Sequence, residues 1–367
     1  MAETKKQVRV RIPPSPTGWF HIGTARTALF NWLYARKMGG VFVLRIEDTD
    51  EERSDLKYEE DIMTGLKWLG LLWNEGPVRQ SERTDLYREH LERLLYNGKA
   101  YWCFCTKEEL EGDKQSKMAN GLAPKYSGKC RGVSLEQATK KLEAGERAVI
   151  RFMVAEQKVS FKDLVRGKVE FDMGLMGDVV IAKSLDEPLY NFAAVVDDES
   201  MGITHVIRGE DHIANTPKQI LLIDALGFDM PEYAHLPLIL APDKSKLSKR
   251  TGETSLNEYR RHGYVPEAIL NFLVLMGFHP DEEFIKKNDG KEVLSADEMI
   301  DNFEFDRVQK GGAIYNKEKL DWLNGYYIRQ MDFNKLKELV REFVPSEWLE
   351  SGELFDNALK LEQERMK

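Results

Sequence analysis

Five residues close to the start of the chain are suited to holding an anionic ligand: Ser15, Thr17, His21, Gly23 and Thr24. They lie between a short run of alternating apolar and charged residues and an apolar helical pattern, so they should surround a helix start. Free backbone N–H groups at a helix start favour an anion, His21 supplies a donor, and Gly23 lets a bulky ligand approach the backbone. An ordinary strand-to-helix turn capped by Thr24 explains the same residues equally well.

A lysine-rich stretch, residues 243–261, is a second candidate site, with six basic residues against three acidic ones. A stretch of this kind is most often just a solvated surface. The whole chain has a net charge of −9, which is unusual for a nucleic-acid-binding protein, so positive charge is concentrated locally.

Charged side chains also follow two predicted strands. Glu47-Asp48-Thr49-Asp50 comes directly after an apolar run, and its acids would either bind magnesium or cap the following helix. Arg208 follows a predicted strand at residues 203–207, a position that usually faces the ligand in a parallel sheet. The alternative is a surface arginine paired with Glu210, which would contribute under about 1 kcal/mol.

The elements that position these residues begin with a predicted βαβ unit. Residues 8–12 and 41–46 have the patterns of strands, and the helix between them begins near Thr24 and ends at Gly39-Gly40. In such a unit, ligands bind beyond the carboxyl ends of the strands, next to the helix N-terminus. The first candidate site is therefore where this arrangement predicts a ligand.

Further strands are predicted from apolar and β-branched runs at residues 101–105, 147–154, 159–165, 168–171, 178–183, 189–196 and 203–207. Those before residue 172 indicate a β-rich insertion, with a hairpin tip at Arg166-Gly167-Lys168. A helix capped by Asn215 and stopped by Gly227 follows the last strand. Near the C-terminus, Pro266 opens one predicted helix and a capping box at Ser295 opens another.

The composition is that of a folded protein of two or three domains. The chain has 367 residues, of which 42% are hydrophobic and 31% charged, so it can bury a sizeable core. No apolar run approaches the roughly 20 residues of a membrane helix. The first residues lack the apolar stretch of a secretory signal, and we therefore expect a cytoplasmic protein with no membrane association.

Two segments resemble the signatures of one enzyme family. Residues 14–27, PSPTGWFHIGTART, resemble the first signature of the class I aminoacyl-tRNA synthetases in its bacterial glutamyl form, with Thr24 replacing the last His of the general His-Ile-Gly-His pattern. Residues 246–250, KLSKR, resemble the second, Lys-Met-Ser-Lys-Ser signature, with Leu247 and Arg250 departing from it. The resemblance covers about residues 8–329, and the two signatures lie in order, one in each half of a split nucleotide-binding fold.

The resemblance implies ATP-dependent ligation of L-glutamate to tRNA-Glu through a glutamyl-adenylate, with magnesium on the phosphates and release of pyrophosphate and AMP. It assigns catalysis to His21, Lys246 and Lys249. ATP binding is assigned to Thr17, His21, Gly23, Thr24, Lys246 and Lys249. Glutamate binding is assigned to Arg11, Ser15, Glu47, Tyr190, Asn191 and Arg208, with Glu47 on the amino group. A charged hydrogen bond contributes about 1.5–3 kcal/mol, so two arginines would reject the neutral amide glutamine.

Three cysteines form a candidate metal site. Cys103 and Cys105 alternate along a predicted strand, so both thiols lie on one side, close enough to share a metal, and Cys130 follows after a polar, glycine-containing stretch. Zinc needs four ligands, and Tyr126, four residues before Cys130, is the candidate fourth; a relative in the resembling family has a similar arrangement. Such a zinc would be structural. Three reduced thiols packing as small apolar groups are the alternative.

The resemblance implies an α/β fold, a split Rossmann-like parallel sheet with an inserted β-rich acceptor-binding module and a C-terminal helical stem-contact domain. Its predicted parts are the first half of the catalytic fold (1–105), the inserted module (106–190), the second half (191–254), the stem-contact domain (255–330) and a truncated start of an anticodon-binding domain (331–367). We expect a monomer.

Two other functions fit part of the sequence. A glutamyl-queuosine tRNA-Asp synthetase-like enzyme lacks the anticodon-binding domain, but the intact second signature and the stem-contact helices weigh against it. A small-molecule nucleotidyltransferase shares the His-containing loop but would not need the β-rich insertion. Whether tRNA-Gln is also charged stays open.

Overall fold

A computed structural model describes residues 6–50, 52–247 and 255–366. Its strands are β1 (Arg9–Ile12), β2 (Val41–Ile46), β3 (Glu75–Arg79), β4 (Ala100–Cys103), β5 (Val149–Phe152), β6 (Lys158–Asp163), β7 (Gly167–Asp172), β8 (Val179–Ala182), β9 (His205–Gly209), β10 (Glu232–Leu236), β11 (Ile239–Leu240) and β12 (Ala313–Ile314). Its helices are α1 (Ile22–Lys37), α2 (Leu56–Trp68), α3 (Thr84–Tyr96), α4 (Lys107–Ala119), α5 (Leu135–Glu143), α6 (Tyr190–Ser200), α7 (Thr216–Leu226), α8 (Leu256–Arg261), α9 (Pro266–Leu275), α10 (Glu282–Lys287), α11 (Ala296–Asn302), α12 (Lys317–Gln330), α13 (Phe333–Leu339), α14 (Ser346–Glu350) and α15 (Glu353–Gln363).

The chain divides into two compact units, each assembled from three segments. The first unit consists of residues 1–15, 43–54 and 75–235, and the second of residues 16–42, 55–74 and 236–367. Both units therefore depend on contacts between residues that are distant in sequence.

The described residues of the first unit form three sheets. The sheet order β1-β2-β3 includes a parallel β2–β3 pair, and the order β7-β6-β10-β9 includes a parallel β6–β10 pair and an antiparallel β6–β7 hairpin. Thr204, just before β9, donates its backbone N–H to the carbonyl of Arg9 on β1 at 2.9 Å. Strands β4, β5 and β8 form a separate antiparallel sheet. Strand β6, which the sequence suggested as part of an insertion, thus pairs with a strand of the second half of the fold.

The core of the first unit lies between the β4-β5-β8 sheet and three helices. Buried apolar side chains come from α3, α6, α7, β5 and β8, including Leu91, Phe192, Leu222, Ile150 and Ile181. Helix α7 begins after Asn215 and ends at Gly227, whose φ of 67° is the left-handed conformation that glycine adopts without strain. The predicted boundaries of this helix are therefore confirmed.

The second unit is mainly helical. Helix α9 packs against both α1 and α12, and α1 also packs against α11. The fully buried Arg26 of α1 donates hydrogen bonds to the backbone carbonyls of Met276, at 2.9 Å, and Pro237. The capping box that opens α11 is formed by Ser295 and Glu298, as predicted.

Residues after α12 form three short helices, α13 to α15. They bury Leu336, Phe355 and Leu359. Gln363 donates hydrogen bonds to the carbonyls of Ile328 and Met331 at 2.9 Å each. This segment thus packs back onto the end of α12. Among the helices of the described residues, none combines the length and apolar character needed to cross a bilayer.

One predicted element has the wrong type. Residues 189–196 were expected to form a strand, but they begin helix α6, in which every residue from Phe192 to Asp197 is buried. A short apolar run buried on all sides has no periodicity that separates a strand from a helix. The other apolar runs near it do form strands, as β8 and β9.

Candidate functional site

Arg11 on β1 is a nearly fully buried cation of the first unit. Its guanidinium forms a two-point ion pair with Asp198 of α6, Nε to Oδ1 at 3.0 Å and Nη2 to Oδ2 at 3.3 Å. Arg45 on β2, also fully buried, donates to the same carboxylate at 2.6 Å. Nη1 of Arg11 is buried without a hydrogen-bond partner among the described residues. Buried polar atoms are normally paired, so this donor is available to a ligand or to an ordered water.

Glu47, directly after β2, accepts a hydrogen bond from Nη2 of Arg45 at 2.9 Å, and its side chain is only 10% exposed. Burial raises the pKa of Glu47, and the cations Arg45 and Arg11 offset only part of that effect. For Asp198, burial also favours protonation, but Arg11 and Arg45 outweigh it and lower its pKa. Glu47 is therefore the carboxylate of this pair that has capacity for another cation.

The two acids that follow Glu47, Asp48 and Asp50, already accept hydrogen bonds from other residues. Asp48 accepts hydrogen bonds from Ser81, from the backbone N–H at 2.8 Å and from Oγ at 2.6 Å. Asp50 accepts a hydrogen bond from Nε of Arg53 at 2.7 Å. Asp48 thus connects the segment after β2 to the segment after β3, and Asp50 pairs within its own turn, so this acidic segment is not a preformed cluster of metal ligands.

Asp197 supports the same region from the neighbouring position on α6. This fully buried carboxylate accepts hydrogen bonds from Gln80 at 2.7 Å, Arg83 at 2.8 Å and the hydroxyl of Tyr87 at 2.9 Å. These three partners, all between residues 80 and 87, hold α6 in place. The adjacent Asp198 is thereby positioned between its two arginines.

Tyr190 and Asn191 form the first turn of α6. The hydroxyl of Tyr190 lies 3.1 Å from Nδ1 of His212. Oδ1 of Asn191 is buried and has no hydrogen-bond partner among the described residues. Ser15, the remaining predicted glutamate ligand, is exposed after β1. Asn191 thus offers an unsatisfied acceptor, the counterpart of the unsatisfied donor on Arg11.

Arg208 on β9 is 5% exposed. Its Nε donates to Nε2 of His235 at 3.2 Å, and Nη2 donates to Oγ1 of Thr216 at 2.8 Å. The alternative of a surface arginine paired with Glu210 is wrong, because Arg208 is buried and Glu210 pairs with Arg166. Nη1 of Arg208 has no hydrogen-bond partner among the described residues.

Five of these side chains, Arg11, Glu47, Tyr190, Asn191 and Arg208, are called the amino acid cluster below. Arg11 and Glu47 are linked through Asp198 and Arg45, because Arg11 pairs with Asp198 and Arg45 donates to both carboxylates. Burial raises the pKa of Tyr190, and the charges of Arg208 and Arg11 oppose this effect. A guanidinium binds a carboxylate through two parallel hydrogen bonds, and a carboxylate beside an amide oxygen binds an ammonium. The cluster can therefore hold a small zwitterion that carries a second carboxylate.

In the second unit, His21 is the N-cap of α1. Its Nδ1 accepts the backbone N–H of Gly23 at 2.9 Å. The predicted helix start near Thr24 is close to the observed start at Ile22, but the alternative in which Thr24 caps the helix is wrong, because Thr24 lies inside the first turn. Thr17 is exposed. The predicted donor can only be Nε2, because Nδ1 is an acceptor here. A Cβ atom at Gly23 would lie 3.2 Å from Nδ1 of His21, so only a glycine fits without crowding the ring.

The second signature begins on a tight turn of the second unit. Lys246 is exposed and forms an antiparallel bridge with Leu240 at the end of β11. Lys249 lies outside the described residues. Ser255, a few residues after the second signature, forms an antiparallel bridge with His21 of the first signature. The chain thus returns to the first signature directly after the second.

The three cysteines come together in the first unit, where all Sγ atoms lie within 4.8 Å of one another. The Sγ atoms of Cys105 and Cys130 are 3.6 Å apart, and the hydroxyl of Tyr126 lies 3.4 Å from both Cys103 and Cys105. Tetrahedral zinc, with bonds of about 2.3 Å to sulfur and 2.0 Å to oxygen, separates its ligands by about 3.5–3.8 Å. The four side chains therefore fit zinc, although Cys105 lies beyond the end of β4.

Sequence reasoning missed several charged residues that support the amino acid cluster: Arg45, Asp163, Asp197, Asp198 and His235. Each is at least 87% buried in the structure. A signal was present, because Arg45 and His235 interrupt otherwise apolar strands, and Asp197 and Asp198 end an apolar run. A charged residue inside an apolar run generally has a buried partner.

A family model described as "tRNA synthetases class I (E and Q), catalytic domain" matches residues 7–322. The chain belongs to this family. Within the family it is 50% identical to glutamate–tRNA ligase 2 of Thermoanaerobacter pseudethanolicus over 351 residues, covering 95% of this chain and 72% of the relative. It is 49% identical to the glutamate–tRNA ligase of Carboxydothermus hydrogenoformans over 348 residues, covering 92% of this chain and 71% of the relative.

Solved structures of family members have the same fold. The crystal structure of a glutamate tRNA ligase from Elizabethkingia meningosepticum, in complex with its amino acid, matches with a TM-score of 0.84 and 37% identity over 98% of this chain and 77% of that one. The glutamate-tRNA synthetase of Elizabethkingia anophelis matches with the same TM-score and identity over 98% of this chain and 78% of that one. The predicted α/β fold class of this synthetase family is thus confirmed.

Proposed function

We propose that this protein is a glutamate–tRNA ligase. It would join L-glutamate to ATP, giving glutamyl-adenylate and pyrophosphate, and then transfer the glutamyl group to tRNA-Glu with release of AMP. The similar ligases support this proposal, and the amino acid cluster carries it. Its two buried arginines each have an Nη1 atom without a hydrogen-bond partner among the described residues, as an acidic amino acid requires.

Each residue of the amino acid cluster has a role in this proposal. Arg11 and Arg208 would bind carboxylate oxygens of glutamate, while Glu47 and the unpaired Oδ1 of Asn191 would accept hydrogen bonds from its ammonium group. Tyr190 would close the cluster. Because removing a partner from a buried charged group is costly, glutamine would bind far less well than glutamate.

The first reaction needs no general base, because the attacking α-carboxylate of glutamate is already ionised at neutral pH. Its oxygen forms a bond to the α-phosphorus of ATP, and the bond to the pyrophosphate oxygen breaks. Catalysis then consists of orientation and charge neutralisation, and orientation can contribute about 7–11 kcal/mol. We assign neutralisation to His21, Lys246 and Lys249, with ATP also held by the segment from Thr17 to Thr24.

Two metals accompany the proposal. Magnesium would enter with the phosphates of ATP, whose charge it neutralises. Zinc would be held by Cys103, Cys105, Tyr126 and Cys130, whose spacing fits its tetrahedral geometry. Its role would be structural, joining β4 to the segment around residue 130.

We retain the five predicted parts of the chain, a monomeric state and a cytoplasmic location as parts of the proposal. The location follows from the proposed tRNA substrate, since aminoacylation supplies cytoplasmic translation. Gel filtration would test the monomeric state, and fluorescent labelling of the protein in cells would test the location.

Glutamate-dependent ATP–pyrophosphate exchange, measured with and without tRNA-Glu, tests the function. Exchange should require L-glutamate and should not be supported by glutamine. In the Arg208→Ala variant, we expect the KM for glutamate to rise about tenfold or more, while the KM for ATP changes little. Arg147→Ala, at an exposed arginine of the same unit, is the matched control. Equal effects on both KM values would contradict the assignment of Arg208.

A further inference from the structure

A histidine with no access to solvent lies behind Arg208. His235 is on β10, and its side chain is completely buried. Its Nδ1 is 2.6 Å from Oδ2 of Asp163, on the adjacent strand β6. Its Nε2 is 3.2 Å from Nε of Arg208, on β9. Three neighbouring strands of one sheet thus contribute a carboxylate, an imidazole and a guanidinium in a row.

The hydrogen bonds determine where the imidazole carries its proton. Arg208 Nε always carries a hydrogen, so Nε2 of His235 has to be an acceptor. The proton of a neutral His235 is then on Nδ1, which donates a hydrogen bond to the Asp163 carboxylate. Burial lowers the pKa of His235 and Arg208 adds to this effect, while Asp163 opposes it only in part. A protonated imidazole would place a second cation and a second donor against Arg208.

The remaining contacts of this group also fix the plane of the guanidinium. Oγ1 of Thr216 accepts from Nη2 of Arg208 at 2.8 Å and lies 3.1 Å from Nε2 of His235. The guanidinium carbon lies 5.7 Å from the ring centre of Tyr233, which is stacked on His235 at 6.1 Å. Nε, Nη2 and one face of Arg208 are therefore occupied, and Nη1 is left for a ligand.

Asp163 is itself fixed by the backbone. Its Oδ1 accepts the N–H groups of Val165 at 3.0 Å and Arg166 at 2.8 Å in the turn between β6 and β7. Its Oδ2 also accepts the N–H of His235 at 3.1 Å. The carboxylate therefore cannot rotate away from the imidazole without breaking the turn.

We infer that His235 is a positioning residue for substrate recognition, held by Asp163 in the tautomer that presents an acceptor to Arg208. The pair would direct the remaining Nη1 donors of Arg208 to the substrate carboxylate and thus sets the selectivity for an acidic amino acid. This inference rests on the proposed function of Arg208 as a glutamate ligand. The alternative is that His235 contributes only to core packing.

Two substitutions of His235 separate these roles. In His235→Asn, the amide N–H can still reach Asp163, but no acceptor reaches Arg208. In His235→Gln, the longer side chain can place its Oε1 near the position of Nε2. We expect His235→Asn to raise the KM for glutamate about tenfold or more with little change in the KM for ATP, and His235→Gln to recover most of this loss. His90→Asn, at a half-buried histidine of the same unit, is the control.

A third variant changes the tautomer directly. In Asp163→Asn, the amide oxygen can keep the turn contacts, and the amide N–H₂ then faces Nδ1 of His235. That donor favours the Nε2–H tautomer and so sets two donors against each other at Arg208, as an Asp-to-Asn change does in a catalytic triad. We expect the KM for glutamate to rise, and ¹⁵N NMR of histidine-labelled protein to show the His235 proton moving from Nδ1 to Nε2.

The outcomes distinguish this inference from the proposed function. If wild-type protein catalyses no glutamate-dependent exchange, the proposed function is wrong, whereas the NMR spectrum of the wild type still tests the tautomer. If exchange is normal but His235→Asn and His235→Gln have the same KM for glutamate, the positioning role is wrong. An Nε2–H tautomer in the wild type would also overturn it. Should the Asp163 variant not fold, the two His235 variants and the wild-type spectrum decide.

Discussion

Two carboxylates near Arg45, those of Glu47 and Asp198, have opposite pKa shifts. Both are buried, but Asp198 lies between two guanidiniums and Glu47 contacts only that of Arg45. The pKa of Asp198 is therefore lowered, and that of Glu47 is raised above its ordinary value of 4.5. The ionised form of Glu47 is therefore disfavoured in the free protein, and an ammonium group bound beside it would stabilise that form.

Replacing Glu47 by Gln should separate function from stability. Because the pKa of Glu47 is higher in the folded than in the unfolded protein, its ionised form destabilises the fold at neutral pH, and this cost is absent below the unfolded pKa. We therefore expect Glu47→Gln to unfold at the same or a higher temperature than the wild type at pH 7. Its KM for glutamate should rise about tenfold or more, because the charged hydrogen bond to the ammonium is lost.

The pH profile supplies the control for this variant. In the wild type, the KM for glutamate should rise as the pH falls through the raised pKa of Glu47, since the protonated acid cannot pair with the ammonium. Glu47→Gln should have a flatter profile over that range. A clearly lower melting temperature for Glu47→Gln at pH 7 would show that Glu47 stabilises the unliganded protein, contrary to this account.

At the scale of elements, Arg26 connects α1 to the rest of the second unit. This buried side chain reaches the carbonyls of Met276, after α9, and Pro237, before β11. Because His21 caps the same helix, the position of α1 also determines where the first signature lies. A residue without a role in the chemistry thus sets the position of the helix start that we propose holds ATP.

Arg26→Met should destabilise the protein by about 2–4 kcal/mol, because two buried carbonyls lose charged donors. Arg36→Met on the same helix is the matched control, because the contacts of Arg36 with Asn74 and Leu72 are exposed to solvent. We expect it to cost under about 1 kcal/mol. Urea unfolding followed by fluorescence would measure both. Equal losses would show that the buried contacts of Arg26 contribute nothing beyond those of a surface arginine.

Elements with local signals could be predicted from the sequence, and those without could not. The cap at Ser295 and the stop at Gly227 are confirmed because both signals act within a few residues. Helix α6 was predicted as a strand because its buried residues, 192–197, leave no polar face to reveal the period. The cap of α1 could not be predicted as Thr24, because His21 takes that role and is a rare cap whose ring acts through Nδ1.

The amino acid cluster shows the same division. Glu47 and Arg208 could be named because they follow predicted strands, and Arg11 because the family resemblance assigns it. Asp198 could not, since it lies 187 residues from Arg11 in sequence. Contacts over such separations form only when the fold is complete, and no periodicity in one segment reports on them.

For the whole molecule, the division into two units separates the predicted site residues. The amino acid cluster belongs to the first unit, and the described nucleotide-binding residues, Thr17 to Thr24 and Lys246, belong to the second. The cysteine group also belongs to the first unit, where Cys130 and Tyr126 lie beyond α4. A metal there would join segments that few apolar contacts hold, since the buried core around it is Tyr101, Cys103 and Cys130.

Metal analysis should find about one zinc per chain, and its removal by a chelator should lower the melting temperature, because zinc binding contributes directly to folding. Tyr126→Phe keeps the three sulfurs and should bind zinc more weakly. Tyr96→Phe, at a tyrosine that is 84% exposed, is the matched control. If the purified protein contains no zinc and the chelator leaves its melting temperature unchanged, the alternative of three reduced thiols packed as small apolar groups is favoured.

The unsatisfied atoms of Arg11 and Asn191 have a consequence for evolution in the laboratory. A library selected for heat resistance alone, with no demand for aminoacylation, should lose Asn191 early, because an apolar side chain would remove the desolvation cost of its buried, unpaired Oδ1, whereas Arg11 should be kept because it pairs with the Asp198 carboxylate. Growth that depends on the enzyme should preserve both residues. The pattern of substitutions in the two libraries would therefore outline the substrate without any ligand being soaked into a crystal.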